Sequence, residues 1–476
     1  AYVMWLASPS LLPVTDGPDV VHHLLLMHVI QRTHHLVHDP SLEPYLLEMV
    51  NYTPGSHVLA VAIAGWLRVD PLRVIFPLTA AFVAMKAAVV YVLAVRVIPA
   101  TRVAALHALA APVLLLVPSA YVLGSFFQFY FYAQVVSETF AIAMVLFALS
   151  WMRSRDLRHL WLASVCGVGV FLSWPPWILP ACIAVLAAIL AGTASIRARL
   201  GGAAIVLGPV AVFAVLHAST HAAGTSIIGS SGAVTRPSAA TLGVTFVVLG
   251  LAGAALATRI APARPLLVLL AVTALQGLAL AAIDFRSGAR SFYMPFKMVY
   301  LAALPCTVFG ALALARAGDA LASRVRAGRG LVAVAPLVIA SLLASGRFPV
   351  KRQHGPLSES ALAAGSWARG SLPPGCVDYF SRHWLTGYWL HLDVLGNPRL
   401  SDRMREETFE FRDTVGKWIE GKGLPYGIVE DFSAIPRDAR VDMIPLRRFG
   451  PAAVVQNARP RPASGSDPNS ILCRGK

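Results

Sequence analysis

Two carboxylates stand three residues apart in the run Thr15-Asp16-Gly17-Pro18-Asp19, and His22 and His23 follow directly. A carboxylate held near a hydroxyl can take its proton as the oxygen attacks an electrophile, which is general-base chemistry. If a helix opens at Pro18, which suits a first helical turn, His22 and His23 lie beside Asp19, three and four residues on. The same residues admit a plainer use. Asp16 or Gly17 would cap that helix, and Asp19 would complement its dipole.

Cations that could hold a phosphate occur later in the chain. Arg286, Arg290 and Lys297 cluster at one loop and the start of an apolar run, and Arg290 and Lys297 share a face if the helix begins early. The alternative is that they snorkel to the interface. Gln134, Ser137 and Glu138 form a polar stripe at the end of another apolar run, and Lys86 lies deep in a third. Ionisable groups at such depth face protein or a water-filled cavity. Glu138 could therefore line a substrate cavity or join a buried network between helices, and Lys86 reads as a salt-bridge or cavity residue. His34 and His38 are four apart and could share a divalent cation, although they match no closed zinc motif. The aromatic-rich segment 383–393 could offer sugar platforms but suits the core of a small domain better. Cys376 and Cys473 could form a disulfide or stay free.

The elements that must position these residues follow from composition. Of 476 residues, 57% are hydrophobic and 13% charged, against roughly 25% charged in soluble domains. Lipid must be the solvent for most of the chain. Runs long enough to span, or nearly so, end near residue 14 and then cover 74–95, 103–124, 133–152, 160–191, 203–217, 240–257, 265–283, 294–315 and 331–344. Trp174-Pro175-Pro176-Trp177 breaks the 160–191 run in two, because consecutive prolines cannot continue a helix. The run 58–67 is too short to span and reads as interfacial. The expected fold class is a polytopic α-helical membrane protein with about eleven transmembrane helices and a small C-terminal extracytoplasmic α/β domain. Residues 1–346 form the membrane domain, with a first extracytoplasmic loop at 15–73, and 347–476 form the soluble domain, with strands expected at 376–380, 427–429 and 452–455 and a helix around 403–420. The chain opens inside an apolar stretch without an initiator Met, so its true N-terminus is expected upstream.

The net charge of +16 does not point to nucleic acid, because many arginines sit in short clusters between apolar runs. Arg96 with Arg102, then Arg153, Arg155 and Arg158, then Arg197 with Arg199, Arg259 with Arg264, and Arg316, Arg324, Arg326 and Arg329 occupy alternate loops. The intervening loops carry only Arg236, Arg286 and Arg290. Lysine and arginine mark cytoplasmic loops, so the first loop and the tail are placed outside.

A first span, an acidic outer loop, and Tyr52-Thr53-Pro54-Gly55-Ser56-His57 leading an interfacial helix resemble the C-type (GT-C) glycosyltransferases. These include protein O-mannosyltransferases and lipid A aminoarabinose transferases. The long multi-span body and outer tail are also similar; the motif itself is confined to residues 15–73. The resemblance implies a polyprenyl-phosphate-linked sugar donor, a glycan, lipid or protein acceptor, and an acidic first-loop base. The spacing of Asp16 and Asp19 departs from the adjacent pair or single acid of many members, so Asp16, the first after the span, is favoured with Asp19 beside it. His22, His23, Tyr52, His57, Glu138, Arg286, Arg290 and Lys297 would contact substrate. The rival reading is a transporter or flippase of a lipid or glycan. It would carry helix-breaking pairs at matched positions in two halves, whereas only one Trp-Pro-Pro-Trp turn occurs. Cysteines placed near Asp16, at Ser230 and after Arg347 should react with impermeant thiol reagents from outside, and those at Arg155 and Arg326 only after permeabilisation. Labelling of Arg326→Cys from outside alone would reverse the orientation.

Overall fold

Long apolar helices make up most of the computed structural model, which describes residues 2–14, 17, 19–35, 42, 46–192, 195–220, 232–288, 291–324, 329–345, 355, 357–398, 409–460 and 473. Asp16, His38, Ser230, Arg290, Arg326 and Arg347 lie outside the described residues. The chain divides into two compact units. One contains residues 1–50, 57–77 and 352–476, and the other contains 51–56 and 78–351.

Among the described residues six helices are long and apolar enough to cross a membrane: Pro71–Val97, Tyr132–Ser154, Ile196–Ser219, Ala239–Ala257, Ala261–Ser287 and Tyr293–Leu321. This is an integral multi-pass membrane protein. Shorter apolar helices include Gly55–Leu67, Leu157–Ser173 and Pro175–Ala191. Six of the expected spans are thus long apolar helices among the described residues, and the count of about eleven is not confirmed. The largest departure is at 103–124, where short helices Ala104–Ala108, Ala110–Leu114, Ser119–Val122 and Gly124–Phe127 replace one span. Pro112 and Pro118 remove backbone donors there, and hydropathy cannot see that break. The Trp-Pro-Pro-Trp break occurs where expected: Leu157–Ser173 ends, Pro175–Trp177 makes one 3₁₀ turn, and Ile178–Ala191 follows.

Tyr293–Leu321 is the central helix of the membrane unit, with 83% of its apolar window buried against 17% for Ile196–Ser219. Gly250 and Gly253 let Val244–Ala257 approach it closely. A Cβ on Gly253 would overlap the Phe309 carbonyl, and one on Gly250 would crowd Cys306. Small residues at a helix contact are what membrane packing favours. Thr53 Oγ1 donates to the Ser173 carbonyl at 3.3 Å, and Tyr132 donates to the Ser56 carbonyl at 2.6 Å. The 51–56 segment is thereby fastened to the membrane helices.

The tail builds a four-stranded sheet in the order β1-β2-β4-β3, from β1 (Val377–Phe380), β2 (Tyr426–Val429), β3 (Met443–Phe449) and β4 (Ala452–Asn457). β1 and β2 are parallel; the other pairs are antiparallel. The sequence reading anticipated β1, β2 and β4 but not β3. That strand is an exposed edge containing Pro445, with an irregularity between Pro445 and Arg447, and proline is tolerated only at such edges and bulges. Helix Glu359–Ser371 is capped by Ser358, whose oxygen accepts from the Ala361 N–H. The helix expected around 403–420 is Phe411–Ile419, with Trp418 packed edge-on against Phe380.

Cys376 and Cys473 are disulfide-bonded, with Cα atoms 4.6 Å apart and a sequence separation of 97 residues. Closing so long a loop restricts the unfolded chain strongly. Replacing both cysteines by serine should cost the tail about 2–5 kcal/mol and lower its thermal midpoint. An unchanged midpoint in the variant would show that the bridge adds nothing to folding.

Candidate functional site

Asp19 is the first residue of helix Asp19–Thr33 and is half-buried. That helix buries Val20, Val21, Leu24, Leu25, Leu26, Met27 and Ile30, so it is packed into its unit rather than laid on its surface. Its histidines are engaged. His22 Nε2 lies 2.8 Å from the Tyr388 hydroxyl. His23 Nδ1 lies 2.9 Å from His57 Nε2. Burial drives the His57 imidazole down to about 3, so it is neutral. The structure thus gathers Asp19, His22, His23 and His57 in one unit. Tyr52 belongs to the membrane unit, where its ring sits 5.8 Å from Trp174.

A cluster that the sequence reading passed over lies further along the same helix. His28 Nδ1 is 2.8 Å from Asp393 Oδ1, and its Nε2 is 3.3 Å from Asp70 Oδ1. Asp393 is 1% exposed and Asp70 52% exposed, so the Asp393 contact carries most of the electrostatic weight. Burial opposes the charge on His28, but Asp393 and then Asp70 override it and raise its pKa to about 10. Burial likewise works against the Asp70 carboxylate. The hydrogen bond and charge of His28, and the Leu72 N–H, nevertheless hold it below its ordinary range. A polar cavity of about 150 Å³ opens here, walled by His28, Asp70, Ser366, Arg369 and Asp393. Arg32 lies close enough to feel Arg369, Asp393 and Asp70. Nearby, Arg73 makes a two-pronged contact with Glu359 at 2.6 and 2.8 Å. The available signal was Asp393 itself: an acid inside the aromatic 383–393 segment, which is indeed core, must find a partner.

In the membrane unit the polar residues form one chain. Lys86 and Glu138 are ion-paired, both within 1% of full burial. Gln134 Nε2 donates to Glu138 Oε1 at 3.3 Å, and Lys297 Nζ donates to Gln134 Oε1 at 2.8 Å. Lys297 also sits over the Phe131 ring, 2.8 Å from its centroid, with Tyr293 at 4.9 Å. Ser137 donates to the Val170 and Trp174 carbonyls, both at 3.3 Å. Glu138 and Lys297 are thus brought together, and Lys86 is the salt-bridge residue it was read to be. The early helix start that a face shared by Arg290 and Lys297 would need is not seen, since the helix begins at Tyr293. Arg286 is exposed near the end of helix Arg264–Ser287, whereas Lys297 is buried.

His34 is exposed, and among the described residues no group of three or more His, Cys, Asp or Glu side chains could hold a metal ion. The candidate divalent cation therefore has no built site within them.

No protein-family model matches the chain, and no curated protein matches it by sequence. Among solved structures it is similar to the Archaeoglobus fulgidus oligosaccharyltransferase in complex with zinc and sulfate, at 16% identity and a TM-score of 0.48. The match covers 88% of this chain and 64% of that one, so the chain spans under two thirds of that relative's length. It is also similar to ArnT from Cupriavidus metallidurans, in the apo state at 12% identity (TM-score 0.48) and bound to undecaprenyl phosphate at 13% (TM-score 0.47). Each of these covers 95% of this chain and 96% of ArnT.

The His28 cluster has a pH signature. A raised folded value means the native state holds the proton more tightly than the unfolded chain. The stabilisation is complete below about 6.5 and fades as pH rises through about 10. Asp70 acts in the opposite sense, contributing above the ordinary carboxylate range and losing that contribution in acid. The thermal midpoint of the purified protein should fall between pH 6.5 and 10. His28→Gln should cost about 3–5 kcal/mol at neutral pH, because Asp393 stays buried without its cation, and should flatten that slope. Identical slopes for parent and variant would exclude the ion pair.

Proposed function

We propose that this protein is a membrane glycosyltransferase that moves a sugar from a polyprenyl-phosphate donor to an acceptor hydroxyl at the outer face of the membrane. The observation that carries the proposal is the fixing of the acid-bearing first-loop helix Asp19–Thr33 within its unit. Tyr388 bonds His22, His57 bonds His23, and Asp70 and Asp393 hold His28. A general base works only when held at hydrogen-bond distance from the proton it takes, and a helix tied at His22, His23 and His28, over about two turns, meets that need.

In this reading a first-loop carboxylate, Asp16 with Asp19 beside it, removes the acceptor proton as the oxygen attacks the anomeric carbon. The bond from that carbon to the phosphate oxygen breaks, and the polyprenyl phosphate leaves with the electron pair. A cation near the leaving phosphate lowers the barrier. Lys297, braced by Gln134 in the membrane unit, is the proposed one, with Arg286 and Arg290 as further candidates. The polar cavity at His28 suits a hydroxyl-rich ligand. It lies nine residues along the helix from Asp19, roughly 13.5 Å at the helical rise. We assign it to a more distant part of an acceptor glycan rather than to the reacting sugar.

The test is turnover in proteoliposomes containing lipid-linked sugars extracted from cell membranes, with release of free polyprenyl phosphate followed by mass spectrometry. Asp16→Asn should reduce release on the order of 10²- to 10⁴-fold while the protein stays folded and inserted, because Asn still caps a helix but takes no proton. An active Asp16→Asn with a dead Asp19→Asn would move the role to Asp19. Parental rates in both would make the acids caps. Movement of intact sugar-lipid across the bilayer without release would favour a flippase.

A further inference from the structure

Arg155, from the arginine cluster at residues 153–158, and Ala198, which stands between Arg197 and Arg199, line an open cavity of about 470 Å³ within the membrane unit. Trp151, Arg155, Leu157, Gly201, Gly202 and Ile205 line it. Its walls are apolar apart from Arg155, whose guanidinium lies over the Trp151 ring, 4.8 Å from the centroid. Leu157 and, on the same two helices, Trp161, Ile196 and Leu200 are 55–64% exposed, a surface suited to acyl chains and not to water. The floor is bare because two glycines form it. Gly202 packs towards Leu160 and Ile189, whereas a Cβ on Gly201 would meet open space. Between residues 151 and 205 five arginines face a single carboxylate, Asp156. That carboxylate caps the following helix by accepting from the Arg158 N–H at 2.9 Å.

We propose that this cavity is a binding site for one anionic glycerophospholipid of the surrounding bilayer. Its phosphate head group lies among Arg155 and Arg199, and one acyl chain runs over Gly201 towards Ile205. Charge complementarity selects the occupant. A neutral lipid gains only the groove, and a free phosphate gains only the arginines, whereas an anionic lipid uses both. Basic pockets between membrane helices recognise anionic head groups on these grounds. The site is independent of sugar transfer, and its test does not require the donor to be known.

The purified protein, in detergent with equal amounts of phosphatidylglycerol and phosphatidylcholine of matched chains, is assayed for retained lipid by native mass spectrometry. The parent should retain phosphatidylglycerol in preference. Arg155→Gln and Arg199→Gln should each weaken that preference roughly fivefold, the effect of one cation near a charged head group. Gly201→Leu fills the groove where space is open and should reduce retention of both lipids. Arg264→Gln, at a different arginine-rich loop, should behave as the parent. Arg199 is half-buried and Gly201 exposed, so their variants report binding even if Arg155→Gln unfolds. Equal retention of the two lipids by the parent would overturn the proposal, as would an undiminished preference in Arg199→Gln. Displacement of phosphatidylglycerol by an equal concentration of inorganic phosphate would assign the arginines to a free anion and overturn the lipid.

Discussion

A carboxylate among apolar helices must be answered by a cation inside the protein, and Glu138 is answered by Lys86. The desolvation of each ion costs several kcal/mol, so the pair persists only in good geometry with its remaining oxygens and protons satisfied. That requirement sets the register of helix Pro71–Val97 against Tyr132–Ser154, because one residue of slip would move the partners by about 1.5 Å and turn them by about 100°. Gln134 extends the requirement to a third helix, since its amide oxygen accepts a hydrogen bond from Lys297 while its nitrogen donates one to Glu138. Helix Tyr132–Ser154 is thereby keyed by polar chemistry to two neighbours, of which the central helix of the membrane unit is one.

The other unit uses buried acids differently. Asp378 is answered by neutral donors, the Trp418 indole N–H and the Leu424 N–H, both at 2.7 Å, which tie helix Phe411–Ile419 and the following turn to β1. Asp393 instead takes a cationic imidazole from a helix more than three hundred residues earlier. The first kind of contact holds a domain together. The second holds the first-loop helix in place, so the tail acts as the mount for any chemistry that the loop performs.

Much of this was legible in the sequence, for identifiable reasons. Long apolar runs, the Trp-Pro-Pro-Trp break and the strands β1, β2 and β4 follow from local composition. The pairing of Lys86 with an acid follows from the expense of a lone charge in lipid. What stayed hidden was non-local or irregular. No local pattern joins His28 to Asp393, or shows that the first loop and the tail share a unit. The 103–124 run is hydrophobic enough to span, and only Pro112 and Pro118 hinted that it would break. β3 was masked by its arginines and proline, which an exposed edge accepts.

The unit containing the first loop is assembled from both ends of the chain, with residues 78–351 made in between. At typical synthesis rates of about 5–20 residues per second, the first-loop helix waits roughly 15 to 60 seconds for the tail. Until then its apolar side chains lack the contacts that the tail supplies in the folded unit. With 15 residues it is too short to span, and Asp19, Arg32 and three histidines make deep insertion costly. The polar residues that meet Tyr388, His57 and Asp393 in the folded unit thus also set the cost of burying this helix in lipid before those partners are made.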